Sequence, residues 1–150
     1  MNGTPLLRVQ DLKKYFPIKA GVFRKIVGWV IAVDGVSFEV LSGETLGIVG
    51  ESGCGKSTLG MTIMRLYEPT AGKVFFQGQD ISSLSASQLK SIRRNIQMIF
   101  QDPFTSLDPR MHIGSIVEEG MKVHRIAPLS EIRRRALDLL EKVGLGAEYF

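Results

Sequence analysis

Thr45-Leu46-Gly47-Ile48-Val49-Gly50-Glu51-Ser52-Gly53-Cys54-Gly55-Lys56-Ser57-Thr58 is the stretch on which the reading of this chain turns. Thr45 to Val49 is apolar on both parities, which predicts a strand buried on both faces of a parallel sheet. Leu59, Ile63 and Leu66 follow at helical spacing and predict a helix over Ser57–Leu66. Between them, Gly50 to Ser57 satisfies G-x-x-x-x-G-K-[ST], in the strand–loop–helix context that this pattern needs. Glycines let a backbone wrap a bulky anion and turn successive N–H groups toward it. The N-terminus of the following helix adds partial positive charge. Lys56 would reach the β- and γ-phosphates of a nucleoside triphosphate, and the Ser57 hydroxyl would ligate Mg²⁺. Thr58 is placed to add a hydroxyl contact to the α-phosphate. The bland alternative is a glycine turn capping a helix, with Lys56 a solvated surface charge, and the strand–loop–helix context disfavours it. Cys54 lies inside the loop. It reads as a small space-filling residue, with a reactive thiol at a helix N-terminus as the alternative.

Upstream, Leu6–Leu12 alternates partly and reads as a strand. Residues 17–29 mix Pro, Gly and charge and read as a loop or hairpin crossing. Val36–Val40 alternates cleanly, and Ser42-Gly43-Glu44 is a turn. Downstream, Lys73–Gln77 is a strand followed by a turn at Gly78-Gln79-Asp80. Ser85 and Gln88 have capping-box spacing, so a short helix is expected to about Arg94. Asn95–Phe100 reads as another strand and residues 101–112 as an ordered loop. Ile113–His124 is helical, with Ile113, Ile116, Val117 and Met121 on one face. A second helix follows Pro128, with Leu129, Ile132, Ala136, Leu139, Leu140 and Val143 in one stripe and Gly144 as its stop.

The chain has 150 residues, 44% hydrophobic and 23% charged, which excludes a disordered or collagen-like chain. One cysteine excludes an intrachain disulfide framework and a cysteine-based metal site. No apolar run reaches the length of a spanning helix, and the first residues do not resemble a signal peptide. These features suggest the cytosol. The net charge of +4 is divided evenly between residues 1–85 and 86–150, and its one tight run, Arg133-Arg134-Arg135, reads as a solvated helix face. That dispersal argues against nucleic acid as a partner.

Taken together, these residues resemble the ATP-binding subunits of ABC transporters. Gly50 to Thr58 resembles that family's Walker A sequence, and Phe100-Gln101-Asp102-Pro103 its Q-loop. Ala32-Val33-Asp34-Gly35-Val36-Ser37-Phe38 and Ser106-Leu107-Asp108-Pro109-Arg110-Met111 are similar to the branch that imports oligopeptides and dipeptides, with nickel importers as near relatives. The resemblance implies an α/β fold: a P-loop NTPase core of ABC type, an antiparallel β subdomain and the start of an α-helical subdomain. Residues 1–100 would be the nucleotide-binding core and 101–150 the Q-loop with the first helices. ATP and Mg²⁺ would be bound by Gly50, Glu51, Ser52, Gly53, Cys54, Gly55, Lys56, Ser57 and Thr58. Lys56 and Gln101 would serve catalysis, and Gln101 with Ser57 would ligate the metal. An uncharged amide can bond metal and water without titrating. Phe16, or alternatively Tyr15, would stack on adenine; either could equally be a core aromatic.

The implied partners are membrane-embedded permease subunits, a second ATP-binding subunit, identical or paralogous, and indirectly a solute-binding protein. The implied place is the cytoplasmic face of a bacterial membrane. Phe104, Leu107 and Met111 are the apolar candidates for the permease contact, with a satellite core as the alternative. The family's signature, its Walker B strand with catalytic Glu, and its switch His are missing from this sequence. Leu84-Ser85-Ala86-Ser87-Gln88 is a decoy that precedes the Q-loop and lacks both glycines. The chain therefore resembles an N-terminal half, expected to bind nucleotide without efficient hydrolysis and to leave apolar strand edges exposed. An inactive remnant, or a subunit of another importer of the branch, is the alternative.

Overall fold

A computed structural model describes residues 4–102 and 107–150. It divides into two compact units, one up to Leu89 and one from Lys90 onward. In the first, β1 (Leu7–Ala20), β2 (Lys25–Val40), β3 (Ala71–Phe76) and β4 (Gln79–Asp80) form an antiparallel sheet in the order β2-β1-β3-β4. Helix α1 (Lys56–Ile63) packs on β1 and β2. The core beneath it is Val9, Leu12, Val33, Leu59, Ile63, Val74, Phe76, Ile81 and Leu89, with Thr62 the buried polar residue.

The imperfect alternation of the first strand has a structural cause. Strict period two would send Val9 and Asp11 inward together. Instead the register shifts between Val9 and Leu12, and Asp11 takes a left-handed φ of 44°. This bulge turns Asp11 out and drops Leu12 into the core. Gly72 of β3 packs against the bulge at φ 86°, with the Asp11 carbonyl and Leu12 Cα where a Cβ would stand.

The region 17–29 is a hairpin: both strands run through it, and the turn occupies only residues 21–24, closed by Arg24 N–H donating to Gly21 O at 3.0 Å. The turn expected at Gly78-Gln79-Asp80 lies one residue earlier. Gln77 and Gly78 have φ of 50° and 80°, the paired positive values of a two-residue hairpin turn, so Gln79 and Asp80 become β4. Helix α1 stops at Ile63, short of the expected Leu66. Arg65 goes left-handed at φ 54°, and the N–H groups of Leu66 and Tyr67 both donate to Met61 O.

Two expected strands are absent. Neither Thr45–Val49 nor Asn95–Phe100 pairs with another segment among the described residues. Both are open to solvent rather than buried on two faces: Val49 is 96% exposed and Ile99 98%. A parallel strand draws its hydrogen bonds and its cover from neighbours, and the antiparallel sheet offers these segments neither. The resemblance led to an expectation of exposed apolar strand edges; these two segments are exposed and apolar but are not strands.

Helix α2 (Ala86–Ile92) opens with the expected capping box. The Ser85 N–H donates to Gln88 Oε1 at 2.9 Å, and the Gln88 N–H to Ser85 Oγ at 3.4 Å. The decoy segment is therefore a helix start. In the second unit, α3 (Ile113–His124) and α4 (Leu129–Lys142) pack through Met121, Ile132 and Ala136, with Val117, Ala127 and Phe150 around them. Leu129, Leu139 and Val143 of the α4 stripe remain exposed. Gly144, at φ 79°, ends α4 as expected.

Candidate functional site

The segment Gly50–Ser57 forms an exposed loop that ends in the first turn of α1. Two of its glycines are required by backbone geometry. Gly53 has φ 84°, and Gly55, the helix N-cap, has φ 98° with its α-carbon pressed against the Ala32 carbonyl of β2. A side chain at position 55 would overlap that carbonyl, so β2 fixes where the helix begins. The first amides of an α-helix have no partner within the helix and are free to meet an anion.

Lys56 closes the loop on itself. Its ammonium donates to the carbonyl oxygens of Gly50 and Glu51, each at 2.6 Å, and lies 3.5 Å from Cys54 Sγ. The cation is thereby held among loop residues, and it forms no ion pair among the described residues. Ser57 is exposed at the start of α1, and Thr58 is half-buried, its carbonyl accepting from Thr62 Oγ1. Cys54 is exposed, and a Cβ on Gly50 would meet its sulfur at 2.7 Å. Behind the loop is a cavity of about 290 Å³ lined by Ala32, Val33, Val36, Ile48, Val49 and the loop residues Cys54 to Lys56, among others.

The structure separates the two aromatic candidates on β1. Tyr15 is committed to β2: its hydroxyl donates to Asp34 Oδ1 at 2.5 Å, and its N–H donates to Thr70 Oγ1. Phe16 pairs across the ladder with Val30, two residues from the Ala32 that abuts Gly55. Its ring meets Tyr67 edge-on, 5.3 Å between centroids and 87° between planes, and the Lys14 ammonium stands 4.8 Å over it. Tyr67 and Lys14 are neighbours of Phe16 that sequence reading did not find. Tyr67 follows α1 in a segment without periodicity, and only the fold brings it to Phe16.

The hydrogen bond to Asp34 raises the Tyr15 pKa, with desolvation and the negative charges of Asp34 and Asp11 acting the same way. The folded protein thus holds this phenolic proton more tightly than the unfolded chain does. The stability gained is complete below the ordinary tyrosine value near 10 and is lost as pH rises through the folded-state value. Comparing urea midpoints of the unaltered chain and Tyr15→Phe at increasing pH should show the advantage of the tyrosine shrinking above that point. A constant difference across the range would contradict the assignment.

Gln101 belongs to the second unit, exposed at a bend. Pro103, Phe104 and Ser106 lie outside the described residues, whereas Leu107 and Met111 are exposed. Asp108 closes a turn by accepting from the Arg110 N–H at 3.0 Å. His112 is exposed, as expected of a surface residue, but His124 is half-buried. Among the described residues no group of three or more His, Cys, Asp or Glu could hold a metal ion.

A family model described as ABC transporter matches residues 33–149, from β2 through the phosphate loop to the last helical turn. The chain belongs to the ABC transporter family. Among curated ABC relatives, the oligopeptide transport ATP-binding protein AppF of Bacillus subtilis is 55% identical over 145 residues, 96% of this chain and 44% of that protein. The glutathione import ATP-binding protein GsiA of Escherichia coli K12 is 46% identical over 149 residues, 99% of this chain and 24% of that protein. The chain thus spans less than half the length of these relatives. Among solved ABC structures, the ATP-binding cassette MJ0796, dimeric in a post-hydrolysis state with ADP and Pi, superposes with a TM-score of 0.74 at 26% identity. That superposition covers 95% of this chain and 59% of the other. The cbiO1 subunit from Clostridium perfringens gives 0.64 at 26% identity, covering 95% and 52%.

Proposed function

We propose that this chain is the nucleotide-binding part of an ATP-binding subunit that energises import of a peptide. The observation that carries the reading is the loop itself: Lys56 held over Gly50 and Glu51, with Gly53 and Gly55 at φ of 84° and 98°. Gly50, Glu51, Ser52, Gly53, Cys54, Gly55, Lys56, Ser57 and Thr58 would bind the phosphates. On arrival of triphosphate the Lys56 ammonium would exchange its carbonyl partners for phosphate oxygens, a charge-assisted and therefore stronger pair. Lys56 also carries a fixed positive charge to where negative charge grows during attack on the γ-phosphate.

The donor set suits Mg²⁺ held jointly with nucleotide. Ser57 and Gln101, which belong to different units, would each offer a hard neutral oxygen. No group of three or more His, Cys, Asp or Glu among the described residues could hold a metal ion, and Mg²⁺ would take waters and phosphate oxygens as its other ligands. When bound, the ion would neutralise phosphate charge. Gln101 would sense the γ-phosphate and orient water. Phe16 would stack on adenine, supported by its pairing with Val30, two residues from the Ala32 that abuts Gly55, and by the diversion of the Tyr15 hydroxyl to Asp34.

In this reading residues 1–100 are the nucleotide core with its β subdomain, and 101–150 begin the helical subdomain. Membrane-embedded permease subunits and a second ATP-binding subunit are the partners, at the cytoplasmic membrane face. No described helix is long and apolar enough to cross a membrane itself. The names of AppF and GsiA support a peptide as solute, since glutathione is a tripeptide. The signature, the Walker B Glu and the switch His do not occur in these 150 residues, so binding without efficient turnover is expected of them.

The single cysteine supplies a test. The chain should bind a fluorescent ATP analogue saturably and only with Mg²⁺. A maleimide on Cys54, whose sulfur lies against both Gly50 and the Lys56 ammonium, should abolish that binding by bulk, and prior MgATP should slow the modification. Unchanged binding by the fully modified protein would remove the loop from the nucleotide site.

A further inference from the structure

Beyond the sheet, β1 and β2 continue as a free arm. β3 pairs with β1 only as far as Lys13, whereas the β1–β2 ladder runs on through Pro17↔Trp29, Ile18↔Gly28, Lys19↔Ile26 and Ala20↔Lys25. From Pro17 to Ile31 every residue except half-buried Gly28 is exposed, so the arm is open on both faces. At its tip Val22 is 95% exposed and Phe23 87%. Trp29 stands exposed on the returning strand.

The charge on the arm is of one sign. Between Asp11 and Asp34 the sequence carries Lys13, Lys14, Lys19, Arg24 and Lys25 and no acidic residue. Lys13 pairs with Asp34, and Lys14 donates to the Glu68 carbonyl. Lys19, Arg24 and Lys25, which surround the tip, form no ion pair among the described residues. The even charge of the two halves of the chain conceals this concentration.

We propose that the arm docks on an anionic phospholipid surface, with Val22 and Phe23 entering between headgroups. Two adjacent, almost fully exposed large apolar residues on a convex tip cannot cover each other. A tip of this shape fits a soft planar interface better than a pocket. Lys19, Arg24 and Lys25 would meet lipid phosphates, and an indole a few residues back matches the headgroup level, where tryptophan is favoured. Uniformly positive charge on both strands complements a uniformly negative plane. No residue of the arm belongs to the phosphate loop, so this inference stands or falls apart from the nucleotide reading.

Trp29 is the sole tryptophan and lies on the arm, so its emission reports the contact directly. Phosphatidylcholine vesicles containing phosphatidylglycerol should shift the emission to the blue, and brominated acyl chains should quench it. Added salt should weaken the binding, and pure phosphatidylcholine should bind at least ~10-fold more weakly. Replacing Lys19, Arg24 and Lys25 together with glutamine should reduce binding about 100-fold, and Phe23→Ser at least ~10-fold. All four positions are exposed, and far-UV circular dichroism checks that the variants remain folded. Equal binding to both vesicle types would overturn the proposal. So would unquenched Trp29 on vesicle-bound protein, which would indicate adhesion through Val49 or Ile99. No binding to either vesicle would also overturn it and leave a protein surface as the arm's occupant.

Discussion

A Lys56→Ala chain is expected to bind MgATP about 100-fold more weakly than the unaltered chain. In the loop the ammonium bonds two carbonyl oxygens at 2.6 Å. Triphosphate offers it charged acceptors instead, and hydrogen bonds between charged groups contribute about 1.5–3 kcal/mol each. Two such bonds, less the carbonyl contacts given up, leave about 2–3 kcal/mol, or roughly 30- to 150-fold in affinity. Stability should move by less than about 1 kcal/mol, because the abandoned carbonyls of Gly50 and Glu51 sit in an exposed loop and can turn to water. Calorimetric titration with MgATP, paired with a thermal melt, separates the two effects. Unaltered affinity in a folded Lys56→Ala chain would mean that nucleotide, if bound at all, lies elsewhere.

Gly72→Ala should be the most damaging single methyl group in the first unit, costing about 3–5 kcal/mol, within the range of exceptional substitutions. Part of the cost is conformational, since position 72 has φ 86°, where an L-residue is disfavoured by roughly 1–2 kcal/mol. The larger part is steric. The new Cβ would overlap the Asp11 carbonyl and the Leu12 Cα, which are backbone atoms of the bulge and cannot rotate away. Moving them would lift Leu12 from the core and break the β1–β3 register. Gly43→Ala is the control. It shares a positive φ of 80° but meets nothing within 4 Å, so only the conformational cost, roughly 1–2 kcal/mol, applies. Urea midpoints of the two variants should differ severalfold in their displacement. Similar small shifts would show that the bulge yields easily and that the sheet is looser than its packing implies.

The sequence was most legible where local chemistry decides the backbone. Gly50–Ser57 could be read as a glycine-rich loop running into a helix because its glycines, lysine and hydroxyls stand at fixed offsets before a helical apolar pattern. Ser85 and Gln88 satisfied each other's backbone within a single turn, so the α2 cap could be read without knowing the fold. Ile113–His124 matched α3 from end to end, for its apolar spacing and the stop beyond it are both local. Residues that depend on distant partners were less legible. Alternation along β1 could not reveal the Asp11 bulge, which exists because Gly72 and Ser37 approach it from other strands.

By itself, then, the sequence determined the glycine-rich loop pattern of Gly50–Ser57, the start of α2, both ends of α3, the stop of α4, and the apolar character of Thr45–Val49 and Asn95–Phe100. Tertiary structure alone decided whether that character became buried strand, and among the described residues it did not. It also decided that Tyr15 is spent on Asp34 while Phe16 stays beside Tyr67, and that the 17–31 arm stands free. The physical reason is common to all three. Periodicity and turn chemistry act over a few residues, whereas a ladder, a ring contact or a covered face needs a second segment. Which segment arrives is set by competition across the whole chain.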